Sequence, residues 1–259
     1  MKIAVTGKGG VGKTTFSAIL ARLYAEAGNE VLCADVDPDA NLGLALGFSE
    51  EELAEITPIT EMRELIQERT QADVFEKFFK INPKVDDLPD MLSREKNGVK
   101  LLLMGTVKTG GGGCVCPEHV VLKRLLSHLI VGRDDVVILD MEAGLEHLAR
   151  GTTDFMDAFI VVIEPGARSI QTWHNVKRLA ADLGIKKVWV VANKVRNAGD
   201  EAFIQENVPA EELLGMVHMS DSVADADRKC MSPFDTAEET VAEIRAIQER
   251  IELIANKEH

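Results

Sequence analysis

Short apolar runs alternate with segments of helical periodicity along most of the chain. The apolar runs predict seven strands, at Lys2–Thr6, Val31–Asp35, Lys100–Gly105, Asp135–Asp140, Ala158–Ile163, Lys187–Ala192 and Leu214–His218. The periodic segments predict six helices, at Lys13–Glu26, Glu61–Arg69, Pro117–Leu129, Ile170–Leu183, Glu201–Glu206 and Ala237–Ala255. Because strands that alternate with helices are typical of right-handed crossover units, the pattern predicts an α/β fold with a mostly parallel sheet and helices on both faces.

The same pattern predicts one domain over residues 1–259, since it contains no internal repeat and no low-complexity linker. The stretch 50–97 is the least regular part, with several prolines and mixed charge. We expect it to be a helical insertion at the periphery of the domain.

The charge balance narrows the class of partner. The chain has 29 Lys and Arg against 43 Asp and Glu, a net charge of −14. A surface this acidic repels phosphate backbones and anionic lipid, so we expect neither nucleic acid nor a membrane as partner. No apolar run reaches the roughly 18 residues of a membrane span, and the sequence opens on a strand pattern rather than a leader. We therefore expect a cytoplasmic protein whose four cysteines are thiols or metal ligands.

A glycine-rich loop, GKGGVGKT at 7–14, lies between the first predicted strand and the first predicted helix. In this setting glycines let backbone N–H groups surround phosphate oxygens, and the helix N-terminus adds its partial positive charge. Lys13 would reach the β- and γ-phosphates, and the hydroxyl of Thr14 would bind Mg²⁺. The loop predicts a site for a nucleoside triphosphate.

Acidic residues follow two predicted strands at the edge where this loop should lie. DVDPDAN at 35–41 ends the second strand, and VVILDMEAG at 136–144 places Asp140 at the end of another. Taken alone, either segment could be an acidic loop cap. Beside a phosphate loop on the same sheet edge, they indicate carboxylates that hold Mg²⁺ and an attacking water.

The loop also carries an extra lysine, Lys8, directly after its first glycine. With the D-x-D-P-x-x-N pattern at 35–41 and the D-x-x-x-G pattern at 140–144, this makes the chain resemble the deviant Walker A class of dimeric ATPases. That class includes MinD, ParA, the nitrogenase iron protein and ArsA, and the resemblance extends over nearly the whole chain. It implies a single-domain P-loop fold and a homodimer in which Lys8 of one chain reaches the ATP of the other.

The resemblance also implies the catalytic residues Lys8, Lys13 and Asp37, with Asp37 orienting the attacking water. Asn41 would lie nearby in the first switch, and Gly144 would be a hinge that senses the γ-phosphate. Hydrolysis should be slow and switch-like, because a loop and a dimer interface must both assemble around the γ-phosphate.

The cofactors implied are ATP or ADP and Mg²⁺. Thr14, Asp37 and Asp140 would hold the Mg²⁺, directly or through water, and Asn193 matches the position that hydrogen-bonds adenine. The residues expected to bind the nucleotide are Gly7, Lys8, Gly9, Gly10, Val11, Gly12, Lys13, Thr14, Thr15 and Asn193.

Three members of the class are disfavoured by particular segments. A MinD-like membrane ATPase would end in a basic amphipathic helix, whereas the tail at 237–259 is amphipathic but acid-rich. A ParA-like partner of DNA would need a basic patch, whereas this chain has a net charge of −14 and no cluster of Lys and Arg residues. The nitrogenase iron protein places a cluster cysteine inside the D-x-x-x-G segment, where this chain has Ala143.

The segment GGGGCVCPEH at 110–119 holds two cysteines one residue apart, Cys114 and Cys116. Pro117 suits the first position of a helix and Glu118 its first turn, so Cys116 should be the N-cap, where a thiolate is stabilised. Two sulfurs leave a metal under-coordinated, but a two-fold axis through this loop would offer four thiolates. The alternatives are incidental thiols, a strained disulfide, or a site that includes His119. Of the other two cysteines, Cys33 should be core and Cys230 incidental.

Within the class, the C-x-C pair resembles that of the CooC-type accessory ATPases, which mature nickel-dependent carbon monoxide dehydrogenase. Stretches close to that family are NPKVD (82–86), D-M-x-A-G-x-E-H-L (140–148), RGT (150–152), VIEP (162–165) and DLGIKKV (182–188). The resemblance implies ATP-dependent delivery of nickel, bound by Cys114 and Cys116 across a homodimer, to apo carbon monoxide dehydrogenase.

Several alternatives to this function stay open. Zn²⁺ could occupy the same four thiolates, because tetrahedral geometry suits zinc and square-planar geometry suits nickel. An iron–sulfur scaffold or electron-transfer ATPase could use the same cysteines, and a regulatory switch would need no metal. The client could also be acetyl-CoA synthase.

Overall fold

The computed structural model describes residues 1–37, 40–72, 79–105, 116–142, 156–185 and 187–256. The strands are β1 (Lys2–Gly7), β2 (Val31–Asp35), β3 (Arg94–Lys96), β4 (Val99–Leu103), β5 (Val136–Asp140), β6 (Ala158–Ile163), β7 (Val188–Val195) and β8 (Leu213–His218). The helices are α1 (Lys13–Glu26), α2 (Leu42–Leu46), α3 (Glu50–Ala54), α4 (Arg63–Thr70), α5 (Leu88–Leu92), α6 (Pro117–Val131), α7 (Ala167–Leu183), α8 (Ala198–Asn207), α9 (Asp221–Arg228), α10 (Pro233–Thr236) and α11 (Glu238–Asn256), and a 3₁₀ turn spans Ile59–Glu61.

The strands form a single sheet in the order β3-β4-β2-β5-β1-β6-β7-β8. All neighbouring pairs are parallel except β3 and β4, which are antiparallel. Every residue of β1, β2, β5 and β6 is buried, as expected when helices cover both faces of a parallel sheet. The α/β class and the mostly parallel sheet are therefore confirmed.

Alternate residues of the central strands belong to two hydrophobic cores on opposite faces of the sheet. Leu139 packs in the core that includes α6 and α7, whereas its neighbour Ile138 packs in the core that includes α1 and α11. This alternation follows from the two-residue repeat of a strand. The prediction of helices on both faces is thereby confirmed.

The seven predicted strands and six predicted helices all occur, and no end differs from its predicted position by more than three residues. The pattern missed β3 and five short helices, namely α2, α3, α5, α9 and α10. The missed helices have only four to eight residues, about two turns or fewer, and β3 has three, so each shows little of the repeat on which the prediction depends. Local chemistry fixes some of them instead, as at α3, where Ser49 and Glu52 form a reciprocal capping box.

The region 50–97 holds α3, the 3₁₀ turn, α4, α5 and β3. Arg69 of α4 forms two hydrogen bonds with the carboxylate of Asp87, at 2.8 and 2.7 Å, which join α4 to the segment before α5. Ile66 and Leu88 are buried in the core on the α6 side of the sheet. The description of this region as an insertion stays a prediction.

Helix α11 lies against α1 and β8 through Ile244, Ile247 and Ile251, all of which are buried. Its apolar stripe is thus part of the domain core. Across the described residues, none of the helices combines the length and the apolar character needed to cross a membrane.

We predict that Ile138→Ala lowers the free energy of unfolding by about 2–5 kcal/mol, because Ile138 has no exposed surface and its deletion leaves a cavity. The matched control is Ile81→Ala, since Ile81 is 78% exposed and the change should stay within about 0.5 kcal/mol. Urea unfolding of both variants measures the difference. Equal losses at the two positions would contradict the assignment of the core.

Candidate functional site

The carboxyl ends of the parallel strands bring the candidate residues together at one edge of the sheet. The loop 8–12 follows β1, Asp35 and Asp37 end and follow β2, Asp140 ends β5, and Asn193 lies near the end of β7. Ligands of open α/β sheets bind at this edge. The predicted nucleotide residues therefore lie around one place in the fold.

The glycines at the two ends of the loop are required by close packing. A Cβ atom on Gly7 would lie 2.4 Å from the carbonyl oxygen of Val162, and one on Gly12 would lie 2.2 Å from the side-chain nitrogen of Asn193. Gly12 also has a φ of +91°, which other residues rarely adopt. The backbone is thus fitted tightly between β6 and β7 immediately before α1 begins at Lys13.

The two lysines of the loop have different environments. Lys13 is only 6% exposed, and its ammonium lies 3.4 Å from the carboxylate of Asp37. Lys8 is exposed on the surface of the loop. Lys13 and Asp37, both predicted to be catalytic, are therefore in contact, whereas Lys8 faces outward from its own chain.

Asp140 is fully buried beneath α1. The hydroxyl of Thr14 donates to one of its carboxylate oxygens at 2.7 Å, and the hydroxyl of Ser17 donates to the other at 3.3 Å. Burial raises the pKa of Asp140 to about 6, against the opposing effects of Thr14 and of nearby Lys13. A hydroxyl and a carboxylate in contact are oxygen donors that suit Mg²⁺, so these residues fit the predicted metal.

Asp35 is a site residue for which the sequence predicts no separate role. Its register partner on β5 is Asp140, and burial together with that second carboxylate raises the pKa of Asp35 to about 7. One carboxylate oxygen accepts the backbone N–H of Asp37 at 3.1 Å, and the other accepts that of Leu42 at 3.0 Å. Asp35 therefore ties down both ends of the segment that carries Asp37 and Asn41.

Asn193 and its neighbour Lys194 contact the loop from the side of β7. The amide nitrogen of Asn193 donates to the carbonyl oxygen of Val11 at 2.7 Å, and the ammonium of Lys194 donates to that of Gly10. Lys194 also forms an ion pair with Glu164 at 2.7 Å. The adenine contact of Asn193 stays a prediction, and Lys194 and Glu164 are additions from the structure.

A cleft of about 590 Å³ extends from the loop toward β8 and α9. It is lined by Thr14, Thr15, Asp37, Asn41 and Asn193 at one end and by residues of the β8–α10 region at the other, including His218, Met219, Ser220, Cys230 and Met231. Of the ten residues predicted to bind the nucleotide, seven line the cleft, namely Gly9, Gly10, Gly12, Lys13, Thr14, Thr15 and Asn193.

His218, on the cleft wall, lies between two carboxylates. Its two ring nitrogens are 2.6 Å from Glu243 and 3.3 Å from Glu201, and its backbone N–H donates to Glu243 at 2.9 Å. These carboxylates, Glu243 first, hold the pKa of His218 above its ordinary value. The sequence offered no sign of this cluster, because its members lie on three separate elements.

Comparison with known proteins agrees with this arrangement. Residues 2–234 match the family model described as the CobQ/CobB/MinD/ParA nucleotide binding domain. The chain belongs to this nucleotide-binding family.

Among relatives, the carbon monoxide dehydrogenase accessory protein CooC of Rhodospirillum rubrum is 45% identical over 236 residues, covering 91% of this chain and 90% of that protein. An uncharacterized ATP-binding protein of Methanocaldococcus jannaschii is 48% identical over 228 residues, 86% of this chain and 87% of its own. The resemblance to CooC-type proteins is thereby confirmed.

Solved structures support the fold. MinD in complex with Mg-ADP from Pyrococcus horikoshii aligns with a TM-score of 0.66 at 20% identity, covering 100% of this chain and 98% of that one. The MinC:MinD cell division complex of Aquifex aeolicus aligns with a TM-score of 0.68 at 17% identity, covering 97% and 96%. The P-loop fold predicted from the sequence is confirmed.

In this member of the CobQ/CobB/MinD/ParA family, Cys116 is the N-cap of α6, with Pro117 at the first position and Glu118 in the first turn, as predicted. Cys114 lies outside the described residues, as do Ala143 and Gly144. His119 lies in the first turn of α6. Within the parts of the chain that the structure describes, no three His, Cys, Asp or Glu side chains are grouped to hold a metal.

The other two cysteines differ in environment. Cys33 is fully buried in β2, where burial raises the pKa of its thiol, so the prediction of a core residue agrees with its position. Cys230 is exposed and lines the cleft. The description of Cys230 as incidental stays a prediction.

The raised pKa values of Asp35 and Asp140 predict a specific pH dependence of stability. Both lie above the ordinary 3.8, so between about pH 4 and 7 the folded protein binds more protons than the unfolded chain. The stabilisation that the pair contributes is fully present below about pH 4 and is lost progressively as the pH rises to about 6 to 7. In Asp35→Asn, which is neutral throughout, this part of the pH dependence should be absent, so its stability should fall less than that of the wild type as the pH rises from 5 to 8.

Urea unfolding at several pH values, without Mg²⁺ or nucleotide, measures this difference. Asp86→Asn, which removes an exposed carboxylate, is the control and should follow the wild type at each pH. Parallel curves for Asp35→Asn and the wild type would contradict the shared burial of the two carboxylates.

Proposed function

We propose that the protein is a slow, switch-like ATPase that works as a homodimer and delivers nickel to apo carbon monoxide dehydrogenase during maturation of that enzyme. The observation that carries the ATPase half is the pair of contacts at the start of α1, Thr14 with Asp140 and Lys13 with Asp37. The client is proposed from the 45% identity to the accessory protein CooC over nine-tenths of both chains.

The residues around the loop would divide the work of phosphoryl transfer. The backbone N–H groups of the loop and the ammonium of Lys13 neutralise phosphate charge, and Lys8 adds a second ammonium from the partner chain. Asp37, whose carboxylate lies 3.4 Å from the ammonium of Lys13, orients the attacking water. Thr14, Asp37 and Asp140 would hold Mg²⁺, directly or through water, and the ion would supply neutralisation of phosphate charge.

The cargo site is proposed at the cysteine pair. Because a helix N-terminus stabilises an anion, the N-cap position of Cys116 favours its thiolate form, which is the form that binds metal. Cys114 and Cys116 from two chains would give four thiolates for one nickel ion. Cysteines stay reduced in the cytoplasm, where disulfides are rare. The protein would therefore act in the cytoplasm.

The proposed cycle couples the two sites. ATP closes the dimer and assembles the four thiolates around nickel, and hydrolysis opens the dimer and releases the ion to the client. Equal nickel affinity with and without a non-hydrolysable ATP analogue would contradict this coupling.

We predict that Asp37→Asn lowers the rate of ATP hydrolysis by about 10²–10³-fold while ATP still binds, because the variant removes the water-orienting carboxylate and leaves the loop intact. Lys13→Ala should instead lose ATP affinity. Phosphate release and nucleotide titration measure the two quantities.

The matched control for this pair is Asp134→Asn, which removes an exposed carboxylate just before β5, at the opposite edge of the sheet. It should leave both rate and affinity unchanged. Hydrolysis at the wild-type rate in Asp37→Asn would assign the water to another residue.

We predict one nickel per two chains in anaerobically purified wild-type protein, and loss of that nickel together with metal-induced dimerisation in Cys114→Ser/Cys116→Ser. Metal analysis combined with a measurement of molecular mass tests this. Cys230→Ser, which removes an exposed thiol elsewhere, is the control and should bind nickel normally. Nickel binding that is indifferent to the cysteine pair would remove the reason for a nickel-delivery function, and brown protein with visible absorption would favour the iron–sulfur alternative.

A further inference from the structure

Two consecutive side chains at the end of β7 contact two consecutive carbonyl groups of the phosphate loop. Asn193 donates to the carbonyl oxygen of Val11 at 2.7 Å, and Lys194 donates to that of Gly10. Glu164, which follows β6, forms an ion pair with the ammonium of Lys194 at 2.7 Å. Two side chains of β7 therefore bind the backbone of the loop, and Glu164 binds one of those two side chains.

The backbone of β7 is distorted where this happens. Successive side chains of a regular strand point to opposite faces of the sheet. If β7 were regular here, Asn193 and Lys194 could not both reach the loop. The pairing of β7 with β8 shifts register between Ala192 and Val195, and Lys194 has a φ of +57°. A lysine backbone in this left-handed region is strained. The strained residue is the one whose ammonium reaches the carbonyl oxygen of Gly10.

The contacts determine which way the loop amides point. In a planar trans peptide the C=O and the following N–H point in opposite directions. Because the carbonyl groups of Gly10 and Val11 point toward β7, the N–H groups of Val11 and Gly12 point away from β7. The N–H of Val11 donates to the carbonyl oxygen of Lys8 across the loop, with 3.4 Å between nitrogen and oxygen, in agreement with this direction.

The fit between Asn193 and the loop is also steric. A Cβ atom on Gly12 would lie 2.2 Å from the amide nitrogen of Asn193, so the amide is seated directly against the backbone that turns into α1. An amide placed to contact only a nucleobase would not require this closeness.

We propose that Asn193 and Lys194 are positioning residues for the triphosphate: they hold the peptide groups that follow Gly10 and Val11, so that the loop keeps its shape and the N–H of Gly12 is directed to the phosphates. Glu164 positions the ammonium of Lys194. The proposal rests on the proposed binding of ATP at this loop. It assigns to Asn193 an action on the phosphate end of the ligand, transmitted through Val11, beyond any contact with adenine.

The test compares ATP with inorganic tripolyphosphate, a ligand that has phosphates but no base. Binding is measured with Mg²⁺ by displacement of a fluorescent ATP analogue, for the wild type, Asn193→Ala, Lys194→Met and Lys194→Arg. Asn193→Ala and Lys194→Met should each weaken both ligands by a similar factor of about ten, the value of one ordered hydrogen bond. Lys194→Arg, which keeps a cationic donor, should stay within about threefold of the wild type.

Two further variants separate positioning from general structural damage. Lys194→Asn suits the left-handed backbone, so it should unfold at the wild-type midpoint and still show the lowered tripolyphosphate affinity. Lys123→Met, which removes an exposed lysine of α6, should change neither quantity.

Weakening of ATP but not of tripolyphosphate by Asn193→Ala would overturn the proposal in favour of a base contact alone. Wild-type tripolyphosphate affinity in Lys194→Asn would also overturn it. Failure of the wild-type protein to bind ATP at all would overturn the proposed function and this proposal with it, whereas normal ATP binding with unaffected variants would overturn this proposal alone.

Discussion

The buried carboxylate of Asp140 is the constraint on which the nucleotide site depends. A carboxylate with no exposed surface requires hydrogen-bond donors or a nearby cation, because an isolated buried charge is strongly unfavourable. Thr14 and Ser17 of α1 supply two hydroxyl donors, and Lys13 supplies a positive charge nearby. Satisfying Asp140 therefore fixes where the first turn of α1 lies, and with it the end of the phosphate loop.

The rest of the loop is held from a second direction. Gly7 passes against Val162 of β6, and Gly12 passes against Asn193 of β7, so neither can carry a side chain. The loop is thus anchored to β5 through α1 and to β6 and β7 through its own backbone. Anchoring on two sides fixes the directions of the loop peptide groups before a ligand binds. A phosphate site built in this way does not have to reorganise when the charged phosphate binds.

The parts of the site that could be predicted from sequence are those coded within one segment. Gly7–Thr14 is a contiguous motif between two periodic segments, Asp140 follows an apolar run, and Cys116 precedes a proline and an acidic first turn. Asp35 was visible as an acidic residue, but its two N–H contacts depend on the return of the chain at Leu42. Lys194 could not be assigned, because its direction comes from an irregularity in the pairing of two strands.

The same distinction applies to the fold. The central strands were predictable because each is a buried apolar run, whereas β3 has only three residues and is specified by its antiparallel pairing with β4. The cluster of His218, Glu201 and Glu243 joins β8, α8 and α11, and no sequence spacing relates them. Local chemistry encodes elements and motifs, and tertiary pairing encodes the contacts between them.

The proposed coupling of ATP to nickel requires a physical connection between Asp37 and Cys116, and the hydrogen bonds of Asp35 supply the part of it that lies next to Asp37. The carbonyl oxygen of Asp35 accepts the N–H of Met104 at 3.0 Å, at the end of β4, and the segment that follows β4 carries the cysteine pair. On its other side the N–H of Val36 donates to the carbonyl oxygen of Asp140 at 2.9 Å. Asp35 thus contacts the segment of Asp37 through its side chain and the strand before the cysteines through its backbone. If hydrolysis changes the segment of Asp37, these hydrogen bonds are the first to be affected, so the proposed coupling would begin at Asp35.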